Sequence, residues 1–345
     1  MRRAAGHARC LFRQPDKLEE RQNDGHRKQV VLAVCILVSF GFAPASADPP
    51  TLRLGYGAAA EEQLYLLLAR PEIGANYGKT YKLDASRFQS STQRSQAFEA
   101  GAIDLASSGA VGVLFAASEG VSGKVIASLA RESPRGFATS FYVKADSPIK
   151  SVADAKSKIV GINGFATDGQ LWLKAALARH NLSDSDLTIT PVPFPAMSEA
   201  LRSGKVDIGE FPQPFADMVE KDFPVRKLFD SQYGMPFEQE LIILLGKDAF
   251  LHANASAVRG LLDDLRASLA FYLERPREAR QILMDAKMVR LAPDVYLNMK
   301  DYYRDPTLRP DAPALERVQD VMIKTGLTKK RADISALVDP SYLPK

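Results

Sequence analysis

Three loops in this chain combine small residues with the opening of a helical run, a composition that lets backbone N–H groups approach a small anion closely. They are Gly55-Tyr56-Gly57-Ala58-Ala59-Ala60, Ser107-Ser108-Gly109-Ala110 and Gly164-Phe165-Ala166-Thr167-Asp168. A helix N-terminus offers unpaired donors and the positive end of the peptide dipole, so the implied chemistry is capture of an anion stripped of water. The candidate ligand-binding residues are therefore Tyr56, Gly57, Ala58, Ser107, Ser108, Gly109, Gly164, Phe165, Ala166, Thr167 and Asp168. Phe211 and Gln213, from the loop Phe211-Pro212-Gln213-Pro214, join them. Arg131, at the end of a strand, adds a guanidinium able to pair bidentately with a carboxylate or sulfonate.

Each residue also has a plainer reading. Thr167 and Asp168 are good helix caps, Ser107 and Ser108 are ordinary loop hydroxyls, and Arg131 has Glu132 beside it for a surface ion pair. Tyr56, Phe165 and Phe211 could cover an apolar tail or simply fill the core. Trp172, one turn into the helix after Thr167, is a natural optical reporter of closure.

The elements that hold these loops alternate. Thr51 to Tyr56 reads as a strand, Tyr81 to Phe88 as another, then Gln93 to Ala100 as helix, Ile103 to Ser107 as strand, Val111 to Ser118 as helix and Lys124 to Leu129 as strand. A second round follows: strand Ile159 to Ile162, helix Asp168 to Arg179, strand Leu187 to Val192, helix Ala196 to Ser203, strand Val206 to Gly209 and helix Phe215 to Glu220. From Ser256 to Ile323 the pattern is mainly helical. Alternating β and α predicts mostly parallel sheets covered on both faces. The two rounds echo each other, Gln96-Ala97-Phe98-Glu99-Ala100-Gly101-Ala102-Ile103-Asp104-Leu105 against Glu199-Ala200-Leu201-Arg202-Ser203-Gly204-Lys205-Val206-Asp207-Ile208. The loops after the echoed strands lie at carboxyl ends, where open α/β sheets hold ligands.

Composition narrows the chemistry. The chain has 345 residues, 46% hydrophobic and 25% charged, with net charge +4. Its basic residues form no stripe with interleaved aromatics, so no nucleic-acid partner is expected. After His26-Arg27-Lys28 comes the apolar run Val30 to Val38, closed by Ala43-Pro44-Ala45-Ser46-Ala47-Asp48, the order of a secretory signal peptide cleaved after Ala47. Both cysteines, Cys10 and Cys35, precede that point, as do His7 and His26. Residues 48–345 thus hold no thiol and two histidines, His180 and His252, poor material for a metal site or a catalytic triad. Gly55-Tyr56-Gly57 lacks the third glycine and the ribose-binding acid of a dinucleotide fingerprint, so no cofactor is expected.

The segment Asp146-Ser147-Pro148-Ile149-Lys150-Ser151-Val152-Ala153-Asp154-Ala155-Lys156, the Gly101-x-Ile103-Asp104 and Gly204-x-Val206-Asp207 units, and the tail Leu337-Val338-Asp339-Pro340-Ser341-Tyr342-Leu343-Pro344 resemble the nitrate, sulfonate and taurine family of ABC-transporter substrate-binding proteins. The resemblance covers most of residues 51 to 345. It implies a type II periplasmic-binding fold: lobe one at 51–141 plus 240–345, lobe two at 142–239, and hinge crossings near Phe141-Tyr142-Val143 and Leu241-Ile242-Ile243. It also implies a periplasmic monomer that closes on a small anionic solute and delivers it to an inner-membrane ABC permease with its cytoplasmic ATPase. Where relatives often carry Trp-Asp-Pro-aromatic this chain has Pro212-Gln213-Pro214-Phe215, and where they carry Thr-Thr-Gly-Asp it has Ser107-Ser108-Gly109-Ala110. The ligand's identity therefore does not transfer. A sensory binding protein would share all these features; enzymes on this fold use cysteines that residues 48–345 lack.

Overall fold

A computed structural model describes residues 48–121 and 123–345. The predicted signal peptide and its cleavage after Ala47 lie outside the described residues. The strands are β1 (Thr51–Tyr56), β2 (Lys82–Arg87), β3 (Leu105–Gly109), β4 (Lys124–Glu132), β5 (Ser140–Lys144), β6 (Ile159–Ile162), β7 (Thr188–Pro191), β8 (Ile208–Phe211), β9 (Val225–Asp230) and β10 (Gln239–Gly246). They form two five-stranded sheets, ordered β2-β1-β3-β10-β4 and β7-β6-β8-β5-β9. In each sheet the strand in fourth place is antiparallel to both neighbours, and the other four share one direction. The reversed strand is the one that enters from the other sheet, which is why a mostly parallel pattern contains it.

The sequence echo is a structural repeat. Leu54 and Gly55 pair with Leu105 and Ala106 as Val160 and Gly161 pair with Ile208 and Gly209. The Asp104 N–H donates to the Arg53 carbonyl, and the Asp207 N–H to the Ile159 carbonyl. The helices that flank the site are α1 (Glu62–Ala69), α2 (Ser91–Glu99), α3 (Ala110–Ser118), α4 (Asp168–Ala178), α5 (Phe194–Arg202) and α6 (Phe215–Asp222). Leu52, Leu54, Leu105 and Leu244 of the first sheet bury against Leu64 and Leu67 of α1 and against Leu261, Leu262 and Leu265. Met197, Leu201, Val206 and Phe211 do the same work in the second. Full burial of such side chains is worth about 1.5–3 kcal/mol each.

The chain passes between the sheets at 133–139 and returns at 231–238, a few residues before the crossings expected at Phe141 and Leu241. Those expected positions instead lie inside β5 and β10, where ladder hydrogen bonds hold them. Glu132 ties the passages together: its carboxylate accepts from the Thr139 N–H and hydroxyl and from the Ser231 hydroxyl at 2.5 Å. Burial raises Glu132 to about 7 despite those donors.

Candidate functional site

The first lobe's wall begins where β1 ends. The Gly57 N–H donates to both oxygens of the buried Glu61, at 3.1 and 3.0 Å. Burial raises the Glu61 pKa, opposed by the charge of Arg94 and by the Gly57 bond. Gly57 is required for close approach, because a Cβ there would meet Arg94 Nη1 at 2.5 Å and Glu61 Oε1 at 2.9 Å. Arg94, on α2, is 5% exposed. Its Nε has no partner, and its guanidinium takes part in none of the hydrogen bonds or ion pairs found among the described residues. A cation left desolvated in this way is costly unless something else neutralises it.

Ser108 and Gly109 close β3 and open α3. One donor of that helix's first turn is already used: the Val111 N–H donates to Asp168 Oδ1 at 3.2 Å, a bond reaching across from the second lobe. Gly109 packs against the same carboxyl, which a Cβ would meet at 2.3 Å.

The second lobe's wall comes from β6, the loop after it, α4 and β8. Thr167 caps α4, accepting from the Gln170 N–H at 3.4 Å and donating to the Gly164 carbonyl at 2.7 Å. The Ala166 N–H is taken by Gln170 Oε1 at 2.7 Å. Glu210, fully buried on β8, accepts from the Asn163 N–H at 2.9 Å. Burial pushes Glu210 up to about 8, reinforced by the charges of Asp168 and Glu132. Burial likewise pushes Asp168 up to about 7.

These walls enclose a cavity of about 300 Å³, the lower end of the usual range for ligand sites. Of the sequence candidates, Ser108, Gly109, Phe165, Ala166, Thr167 and Asp168 line it. Gly57 and Ala58 line an annex of about 70 Å³ that shares Arg94 and Asn163 with it. Phe165 is 58% exposed and stands at the cavity as an apolar surface, not as core. On α3's other side a smaller apolar recess of about 40 Å³, lined by Phe98, Val113, Ala117 and Leu245, shares Arg94 and Ser108.

Six candidates lie off the cavity wall, each for a local reason. Arg131 is the main correction. It is buried among Glu238, Glu240 and Asp305 at 3.1, 3.1 and 3.4 Å and also donates to the Arg309 carbonyl, so its charge is spent inside the first lobe. Tyr56 packs against Tyr65, centroids 5.7 Å apart. Phe211 is core, edge-on to Tyr142. Gln213 is held by Tyr302 Oη through its N–H and by Asp217 through its side chain. Ser107 is fully buried beneath the wall, and Gly164 contributes only the carbonyl that Thr167 bonds.

Arg94, Asn163 and Glu210 line the cavity and were missed by the sequence reading. Two of them had a signal in the echo. Extended two residues upstream it aligns Arg94 with Met197, and extended downstream it aligns Ser107 with Glu210. A charge facing an uncharged residue at an equivalent buried position marks a departure from packing. The sole tryptophan, Trp172, also lines the cavity, with its Nε1–H donating to Gln239 Oε1 at 2.9 Å.

Residues 82–279 match the model of the family described as NMT1/THI5 like. Over 312 residues the chain is 26% identical to an aliphatic sulfonates-binding protein of Escherichia coli K12, covering 89% of this chain and 94% of that one. The alkanesulfonate-binding protein SsuA of Xanthomonas axonopodis pv. citri, solved bound to MOPS, superposes with TM-score 0.69 at 22% identity, over 85% of this chain and 99% of that one. The desulfurization enzyme DSZB also shares the fold, with TM-score 0.61 at 13% identity, over 85% of this chain and 97% of that one.

Proposed function

The chain belongs to the NMT1/THI5-like family, and from that premise we propose that it is an exported solute-binding protein of an ABC importer, closing on a small organic solute with a sulfonate or carboxylate group. Arg94 carries this reading: a buried guanidinium with no hydrogen bond or ion pair among the described residues, and with the charge of Glu61 nearby, faces a cavity walled by both lobes. An acid group from outside would supply the missing bidentate partner. The sulfonate-binding names of the relatives support the same solute class.

The two lobes, divided at the passages 133–139 and 231–238, move as bodies about the Glu132 tie, and ligand contacts made to both favour the closed arrangement. The protein works as a periplasmic monomer, exported by residues 1–47 with cleavage after Ala47. It hands its solute to an inner-membrane permease with a cytoplasmic ATPase.

Turnover is not part of this reading, although the fold also hosts DSZB. Residues 48–345 contain no cysteine. Neither remaining histidine is at the cavity: His180 Nε2 lies 2.7 Å from Tyr233 Oη, and His252 faces Asp248. The test is thermal unfolding against alkanesulfonates, carboxylates and nitrate. A solute present at 100 times its Kd stabilises by about 2.7 kcal/mol. Absence of a shift with every acid would remove the reading.

A further inference from the structure

A second cavity, of about 440 Å³, opens between the lobes and shares no lining residue with the one described above. Its first-lobe rim carries three cations: Arg87, where β2 ends, and Lys287 and Arg290, from the loop after the helix Pro276–Asp285. All three are exposed. Among the described residues their side chains make no ion pair and one long hydrogen bond, from Arg87 Nη1 to the Met288 carbonyl at 3.4 Å. The one acid lining the cavity is Glu62, whose carboxylate is already paired with the Arg304 guanidinium. Glu61, on the annex side, feels the charge of Arg87, and Asp294 near the rim is paired with Lys221 of α6. Exposed cations alone would describe a solvated rim, but the inner wall does not fit that description. Tyr296 lines the cavity and is 0% exposed, and its hydroxyl has no hydrogen-bond partner among the described residues. Burial raises its pKa above the ordinary tyrosine value, so at neutral pH it is a proton donor without an acceptor. Such a group is costly to leave unpaired. The facing wall, from the second lobe, is apolar: Pro195, Pro214, Phe215 and the exposed Met218.

We propose that this cavity is a second binding site, for an organic dianion with an apolar body, the chemistry of an aryl phosphate monoester. Arg87, Lys287 and Arg290 hold the head group, the Tyr296 hydroxyl donates to it, and the body lies against Phe215 and Met218. The site stands apart from the reading of the first cavity, whose solute it neither needs nor replaces. Charge separates the two. The first cavity sets Arg94 among Glu99, Asp168 and Glu210, whereas the second sets three cations against one acid that is already paired. A dianion offers several oxygens to those donors, and the two arginine forks can each take a pair of them. The apolar wall favours a head group that carries a ring or chain over the bare ion, because the body then leaves water.

The experiment is calorimetric titration of the purified, exported chain with phenyl phosphate, inorganic phosphate and phenol. Phenyl phosphate is expected to bind at least about tenfold more tightly than either of its parts. Arg87→Gln and Arg290→Gln, both at exposed positions, should each weaken it by about fivefold or more. Tyr296→Phe, which removes only the hydroxyl, should weaken it by about threefold to tenfold while the melting temperature holds or rises. Arg94→Met should leave phenyl phosphate binding unchanged, which separates this site from the first cavity. Failure of phenyl phosphate to bind would overturn the site, and inorganic phosphate binding as tightly would overturn the apolar body. Binding lost in Arg94→Met but kept in both Arg87→Gln and Arg290→Gln would move the dianion to the first cavity and overturn the assignment to the second.

Discussion

The two lobes share a sheet order, a register and a helix–glycine–strand unit, yet equivalent slots hold opposite chemistry. Under Gly161 of the second lobe lies Met197, fully buried, the side chain a Cβ would meet first. Under Gly55 of the first lobe the corresponding contact is Arg94, whose Cγ a Cβ would meet at 3.3 Å. The stem of the arginine fills a methionine's place while its head reaches the cavity. The post-strand N–H groups correspond too: Glu61 holds Gly57 in one lobe, and Glu210 holds Asn163 in the other. One architecture has thus been fitted with Arg94 beside Glu61 and Glu99 in one wall and with Asp168 and Glu210 in the other, and a repeat in the fold does not imply a repeat in the site.

The strongest way to break this comparison is to force the lobes to match in the wrong direction. Met197→Arg places a charge in a slot closed by Gly161, Gly209 and Val206, and it should destabilise by about 4 kcal/mol or more. Urea unfolding measures this; a loss under about 1 kcal/mol would mean that this slot takes an arginine as readily as its counterpart takes Arg94, and that the two walls do not differ as described. Arg131→Met sharpens the contrast between a paired and an unpaired arginine. Removing one partner from its cluster leaves Glu240 buried and uncompensated, at a cost of about 3–5 kcal/mol, with solute affinity in the folded fraction unchanged. A selective loss of affinity would return Arg131 to the site.

A smaller effect separates the acidic wall by pH. Asp168 and Glu210 titrate near 7 and 8 in the folded chain, raised by burial, and near 4 when unfolded. The folded state therefore binds more protons between these values, and the stability they contribute below about pH 4 is lost as pH rises through about 7 and 8. Unliganded protein should lose stability steadily from pH 5 to about 8 through these groups, by at most about 1.4 kcal/mol per pH unit for each, and Glu210→Gln should flatten the slope. Equal slopes would contradict the burial argument. The smallest effect belongs to Phe165→Ala, which removes an exposed apolar surface at the cavity and should weaken binding by about threefold to tenfold, read by calorimetry.

The elements were legible because they obey local rules. Alternating β and α runs marked seven of the ten strands to within three residues, β5 and β10 were read only as hinge crossings and β9 was not read, and the echo anticipated a repeat that the registers of Leu54–Leu105 and Val160–Ile208 display. Small-residue loops led to part of the cavity wall, from Ser108 and Gly109 to the run Phe165 to Asp168. What failed were inferences about where side chains point. Arg131 was assigned by its position at a strand end, but acids 107 to 174 residues away along the chain capture it. Arg94 sits mid-helix in a polar stretch that reads as a solvated face, yet it packs close to Gly55 and Gly57, nearly forty residues earlier in the chain, and is buried. The Gly57 and Val111 N–H groups, taken as free, are held by Glu61 and Asp168, since sequence does not say which acids fold back onto a donor.

The most direct test compares wild type with Arg94→Met, which installs the sister lobe's own residue. Trp172, at the cavity wall and the chain's single tryptophan, gives the signal; fluorescence titration with 3-aminopropane-1-sulfonate and butane-1-sulfonate gives Kd, and thermal unfolding reports the fold. The account predicts that whichever sulfonate binds wild type more tightly loses about 100-fold in affinity, a charge-assisted pair being worth about 1.5–3 kcal/mol, while the melting temperature holds or rises. Unchanged affinity in a folded Arg94→Met protein would contradict it.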